Sequence, residues 1–238
     1  MPGSELKAAA RRLMSENAPK LFFISIVLIL ISTVMSELQF RLPGLVGAYS
    51  RLLEQLSDGE RLRPGLLASN LKPPGAALAV VLWLLRPVIE VGYKGCCLKI
   101  SRGQPGDYKD LLDGFMFFGK IMLIAVVTSV LISLWSLLLV FPGIAAHYRY
   151  SQAYYILLDD PEKGALECIR ESKRLMNGRK LDLFLLDLSF LGWVILDYAF
   201  VILVPLPFQL PLISIYLTPY FNLARALYYN QLMSEILI

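Results

Sequence analysis

Between Lys20 and Arg41 lie twenty positions, Leu21–Phe40, that open on the apolar run Leu21–Met35. As a helix rising 1.5 Å per residue they cover roughly the 30 Å of a bilayer's hydrocarbon core. No other feature limits the fold as much. A backbone in hydrocarbon must satisfy its own hydrogen bonds, and within one segment only a helix does so. The run is long for the apolar part of a signal peptide and no small-x-small cleavage site follows it, so it reads as an uncleaved anchor. The rest of the 238-residue chain agrees: 56% of it is hydrophobic and 18% charged, against about 25% charged in soluble domains. That balance excludes a disordered chain and argues against an ordinary soluble enzyme.

Further spans are expected at about Gly75–Leu98, Ile121–Phe141, Leu181–Val204 and Leu212–Leu232. Pro142-Gly143 is expected to end the third span. The next stretch, Ile144–Leu158, is short and wet for a span, with His147, Tyr148, Arg149 and three further tyrosines; it reads as a tilted crossing or a re-entrant half-helix. Residues 1–20 and 159–180 have the pattern of amphipathic helices, of the kind that rests on the inner leaflet, and Asn177-Gly178 stops the second. Residues 41–74, punctuated by Pro43-Gly44, Asp58-Gly59, Pro64-Gly65 and Pro73-Pro74, form an expected extracytoplasmic loop carrying a short surface helix. No stretch is polar and long enough for a second domain. The expected fold is all-α: a single integral membrane domain, 1–238, built as a transmembrane bundle of about six spans with cytoplasmic amphipathic helices.

Orientation follows from lysine and arginine. Residues 1–20, 99–120 and 159–180 hold fourteen of the 23 basic residues, whereas 37–74 hold five and the turn around Pro205 none. Six crossings with both termini cytoplasmic put the fourteen inside. Should 144–158 fail to cross, the basic residues of 159–180 would face outside.

A net charge of +4 without a concentrated basic stripe gives no case for nucleic acid. Three cysteines (Cys96, Cys97, Cys168) and one histidine form no metal-ligand spacing and no disulfide framework, so neither a metal nor a cofactor is expected.

Several motifs occur in a recognisable order. They are Ser4-Glu5-Leu6-Lys7, Ser101-Arg102-Gly103 before Leu111–Phe115, Trp135–Leu138 leading to Phe141–Ile144, and Tyr155–Leu157 with Asp159-Asp160-Pro161. Then come Glu171–Gly178, Leu186–Trp193 and Thr218-Pro219-Tyr220. Together they resemble the bacterial integral-membrane family called domain of unknown function 975, over nearly the whole chain except 41–74. That family is distantly similar to the membrane portion of certain glycerophosphodiester phosphodiesterases, whose catalytic domain has no counterpart in this sequence. The resemblance implies a multi-span helical protein in a bacterial-type plasma membrane and supplies no activity. Asp197 and the Arg86/Glu90 pair lie outside its pattern.

Ionisable groups within or beside the spans are the candidate functional residues, because charge in hydrocarbon is costly and usually faces a bundle interior or a watery cavity. Arg86 and Glu90 are four apart and share a helix face. Lys94, Asp182 and Arg225 read as interfacial residues that snorkel. Asp187 and Asp197 are deep in the fifth span; ten residues apart on one helix sets their directions about 80° apart, within a broad face. A cation such as Arg149 or Arg225 is the expected partner for a desolvated aspartate. His147, just after Pro142-Gly143, reads either as a base at a broken helix or as a histidine in an aromatic belt. Asp159-Asp160-Pro161 reads as a helix cap rather than a cation site. The cavity candidates are therefore Asp187, Asp197, His147, Arg149, Arg86 and Glu90. The expected function is non-enzymatic: binding or moving an amphiphile, lipid or amphipathic peptide, through an intramembrane polar cavity. A scaffold for other membrane proteins is the alternative, and a lipid-modifying enzyme using His147 is a third reading. Expected partners are membrane lipids and another membrane protein or peptide.

Overall fold

The computed structural model describes residues 3–41, 73–203 and 212–236, which are helical apart from short connections. Residues 42–72 of the expected loop and the prolines Pro205, Pro207 and Pro211 lie outside the described residues, and Pro73-Pro74 opens a helix instead of closing the loop. The chain divides into two compact units, Met1–Ile29 with Val88–Ile238, and Leu30–Pro87. Helix α2 (Lys20–Arg41) and helix α3 (Pro73–Ser101) each contribute to both. In the smaller unit Val34, Leu38, Leu78, Val80, Val81 and Trp83 are uncovered by protein, as lipid-facing side chains would be.

In the larger unit, α1 (Gly3–Glu16) buries Leu6, Ala10 and Met14, spaced four apart on one face, and packs along α11 (Leu212–Ile236). Protein covers this stripe, while Arg11 and Arg12 stay exposed. The end of α3 crosses the short helix α4 (Asp110–Asp113) so closely that only glycine fits. A Cβ on Gly92 would lie 2.3 Å from the Leu111 carbonyl oxygen, and one on Gly114 2.2 Å from that of Val88. Lys99 latches the crossing by donating to Asp110 at 2.7 Å and to Asp113 at 2.9 Å.

After a 3₁₀ turn at Gly114–Phe117, α5 (Phe118–Leu138) and α6 (Val140–Tyr150) form a hairpin hinged on the single extended residue Leu139. The break therefore precedes Pro142-Gly143. Pro142 sits in the first turn of α6, where a missing N–H costs nothing, and Gly143 lets the two helices meet against Ser136. Helix α7 (Ala153–Asp159) continues the return path to the level where α5 began, since Lys120 Nζ donates to the Pro161 carbonyl. The turn between α6 and α7 frees backbone groups that Ser172 takes up: its hydroxyl accepts from Gln152 N–H at 3.2 Å and donates to the Arg149 carbonyl at 3.0 Å. Ser172 belongs to α8 (Ala165–Leu175), the second amphipathic helix. It buries Ala165, Cys168, Ile169, Ser172 and Leu175, and Gly178 in the left-handed region turns the chain away beyond it.

The fifth expected span is two helices, α9 (Lys180–Leu188) and α10 (Leu191–Leu203), separated at Ser189-Phe190. Phe190 is buried and meets Tyr220 and Phe221 of α11 edge-on, at ring-centroid distances of 4.9 and 5.4 Å. Pro219 does not interrupt α11, which runs through it.

Among the described residues three stretches are long and apolar enough to cross a membrane: Lys20–Gln39, Asp110–Leu138 and Lys180–Phe200. The fold class is as expected, all-helical with apolar helices of spanning length, but about six such stretches were expected. Each of the other three carries a distinguishing feature. Helix α3 places Arg86, Glu90 and Lys94 along the expected span, 140–159 is divided between two short helices, and α11 is diluted by Asn222, Arg225 and its tyrosines.

Substituting Gly92→Ala forces backbone apart at the α3–α4 crossing and should destabilise the protein by about 1–3 kcal/mol. Gly119→Ala, in a helix with open space around it, should leave stability equal or slightly raised. Thermal unfolding of both variants in detergent measures the difference; equal midpoints would contradict the close crossing.

Candidate functional site

The charged residues of the larger unit fall into three groups. The first joins helix ends. Asp159 accepts from Arg102 Nη1 at 2.5 Å and from the Tyr229 hydroxyl at 3.0 Å, tying the ends of α7, α3 and α11 together. Asn230 donates to Ser101 Oγ, Arg179 pairs with Glu235 at 2.6 Å, Tyr228 donates to the Arg179 carbonyl, and Lys20 approaches Asp107 at 4.0 Å. Asp159 is thus an ion-pair residue rather than a cap. Its neighbour Asp160 accepts from the Glu162 N–H in the turn before α8. Beside it Lys163 donates to Glu171, which raises the lysine's pKa, and burial pushes the Cys168 thiol up.

The second group lies further along the helices from those ends: Arg225 is four residues from Tyr229, Lys94 eight from Arg102 and Asp187 eight from Arg179. Arg225 of α11 grips Asp187 of α9 with two parallel hydrogen bonds, Nε to Oδ1 at 3.1 Å and Nη2 to Oδ2, and lies over the Phe221 ring at 4.5 Å. The pair is largely buried, which makes Arg225 a core residue and not a snorkelling one. Tyr148 faces Asp187, and its ring is edge-on to both His147 and Phe184. Lys94 sits over the Tyr154 ring at 4.8 Å and interacts with Glu90 and Arg225. His147 feels the charges of Arg225, Asp187 and Lys94 from the exposed face of α6. Tyr155, buried among them and stacked on Tyr229, has a hydroxyl with no hydrogen-bond partner among the described residues.

The structure therefore brings Glu90, His147 and Asp187 together with Lys94 and Arg225, and separates the other candidates. Asp197 is buried elsewhere: it accepts from the Ile213 N–H at 3.1 Å and from Ser214 Oγ at 2.5 Å, capping the first turn of α11. The angle expected between Asp187 and Asp197 assumed one continuous helix, and the break at Ser189-Phe190 removes that assumption. Arg86 is exposed and belongs to the smaller unit. Arg149 lines the third group, a cleft among α6, α8, α9 and α11 that also holds Arg170, Lys173, Arg174, Arg179 and Lys180. From the sequence those five read as the solvated face of an amphipathic helix and its stop. Their convergence on Arg149 depends on the turn at residues 151–152, which has no glycine or proline to signal it. Among the described residues no three potential metal ligands gather.

Residues 137–235 match the family model described as Protein of unknown function (DUF975), in agreement with the resemblance carried by the sequence motifs. The likeness to glycerophosphodiester phosphodiesterases has no counterpart in that match. No curated protein and no solved structure matches the chain.

Replacing Arg225 with Met strands the Asp187 carboxylate in a nearly dry site and should cost about 3–5 kcal/mol. Adding Asp187→Asn should recover much of that loss. Unfolding of the single and double variants in one detergent tests this, and a double variant less stable than Arg225→Met would contradict it.

Chemical denaturation provides a second check on packing. At pH 8 Cys168 should resist iodoacetamide in the folded protein, since a buried thiol with a raised pKa offers little thiolate, and should react fully once unfolded. Mass spectrometry of the Cys168 peptide reads the outcome.

Proposed function

We propose that this chain, whose residues 137–235 match the model of a family of unknown function, is a non-enzymatic integral membrane protein that binds or moves an amphiphile, a lipid or an amphipathic peptide. One observation carries the reading. The uncovered face of α6 passes from Val140, Phe141 and Ile144 to His147 within two turns, and His147 borders the half-buried Glu90, Lys94, Asp187 and Arg225 group. An apolar track that ends on a polar group has the form of an amphiphile. The unpartnered Tyr155 hydroxyl supports the same reading, because a buried polar atom left open is a place for a ligand or water.

The reading places six crossings in a bacterial-type plasma membrane with both termini in the cytoplasm. The polar contacts favour it. Near the cytoplasmic ends of the six expected crossings, Asp159 links Arg102 with Tyr229, Lys120 bonds the Pro161 carbonyl and Arg179 pairs with Glu235, while Lys20 and Lys99 meet Asp107 and Asp110 of the linker after the second expected crossing. Helices α6 and α7 return along α5 to Pro161, which supports reading 144–158 as a crossing beside α5. The buried Asp187–Arg225 pair lets α11 carry a charge through the bundle.

The test uses the full chain in liposomes. His147→Ala and Asp187→Asn should each lower retention or translocation of labelled lipid or amphipathic peptide by about tenfold, equivalent to 1.4 kcal/mol. Folded variants that bind and translocate like the wild type would end the cavity reading. Recovery of one stoichiometric protein partner instead of bound amphiphile would favour the scaffold.

A further inference from the structure

The cleft among α6, α8, α9 and α11 has a volume of about 1000 Å³. Six cations line it, Arg149, Arg170, Lys173, Arg174, Arg179 and Lys180, with Leu175 and Leu232 as apolar lining. Three carboxylates share it: Glu167, Glu171 and Glu235. Glu235 is held by Arg179 and Glu171 by Lys163. Among the described residues Arg149, Arg170, Lys173, Arg174 and Lys180 make no ion pair, so five cations face the single carboxylate of Glu167. Convergent, uncompensated positive charge of this kind suits a phosphate.

The position of the cleft narrows the source of that phosphate. Lys180 opens α9, and the next residues on its uncovered face are Leu181, Leu185 and Leu188, spaced four and three apart along one side. Asp182, on the same first turn, is also exposed. A basic cleft continuous with a bare leucine track matches a molecule with a charged head and fatty chains, whereas a soluble anion would have no use for the track.

We infer that this cleft is a binding site for the phosphate headgroup of an anionic phospholipid, whose acyl chains run along Leu181, Leu185 and Leu188. The inference rests on the amphiphile-binding reading and names the class of amphiphile. Lys173 and Arg174 on α8 and Arg149 on α6 hold the phosphate, and Lys180 fixes the boundary between headgroup and chain.

The experiment uses the full chain in phosphatidylcholine nanodiscs doped with phosphatidylglycerol, with retained lipid counted by native mass spectrometry. The wild type should retain phosphatidylglycerol above its bulk proportion. Lys173→Gln/Arg174→Gln should reduce that enrichment about thirtyfold, the scale expected for two cations near a headgroup. Lys109→Gln, an exposed lysine away from the cleft, should leave it unchanged. Because both substituted residues of the double variant are exposed, its unfolding midpoint should match the wild type. Equal enrichment in the double variant overturns the inference. So does inorganic phosphate that binds the wild type in pure phosphatidylcholine with the same dependence on Lys173 and Arg174, since the site would then serve a soluble anion. Loss of amphiphile in Asp187→Asn with an unaffected double variant overturns the cleft alone. A wild type that retains no amphiphile overturns both readings.

Discussion

The Asp159 carboxylate, shared between Arg102 and Tyr229, binds the ends of three helices at one point. In water such a contact is worth little, since exposed ion pairs contribute about 0–1 kcal/mol. In a bundle whose outer faces are bare leucine, valine and phenylalanine its value is geometric. Helices in lipid gain no hydrophobic free energy by touching one another, so small residues and polar contacts decide which faces meet. The glycine crossing at Gly92 and Gly114, the Gly143–Ser136 approach and the polar network around Asp159 are such deciding contacts. The remaining packing follows from where they hold the helices.

Against that background the two buried aspartates of the fifth expected span serve different ends. Asp187 neutralises an arginine that α11 carries into the bundle, and Asp197 supplies the hydrogen bonds that the first turn of α11 cannot make for itself. Each answers a local electrostatic need of the same helix, from opposite sides of the break at Ser189-Phe190. What remains open to a ligand is the flank of that arrangement: His147, the Tyr155 hydroxyl and the basic cleft.

The helical class and most helix positions were legible because lipid imposes a simple rule, a long apolar run with charges outside it. The amphipathic stripe of α1, the stop at Gly178 and the closeness of Arg225 to Asp187 could be foreseen from spacing and charge. The turn between α6 and α7 could not. It is stabilised by Ser172, twenty residues away, so no local residue announces it. Nor could the hinge at Leu139, where Pro142 drew attention to the wrong position. Asp197 looked like a cavity residue because a cap and a site demand the same side chain, and only the residues opposite it distinguish them.

The hinge at Leu139 has a consequence for how the protein enters its membrane. Five successive side chains at the tip, Leu137 to Phe141, are uncovered and apolar. A hairpin with such a tip brings no hydrophilic loop that must be carried through hydrocarbon. Helices α5 and α6 can therefore enter an apolar phase together, with no polar side chain at the tip to oppose it.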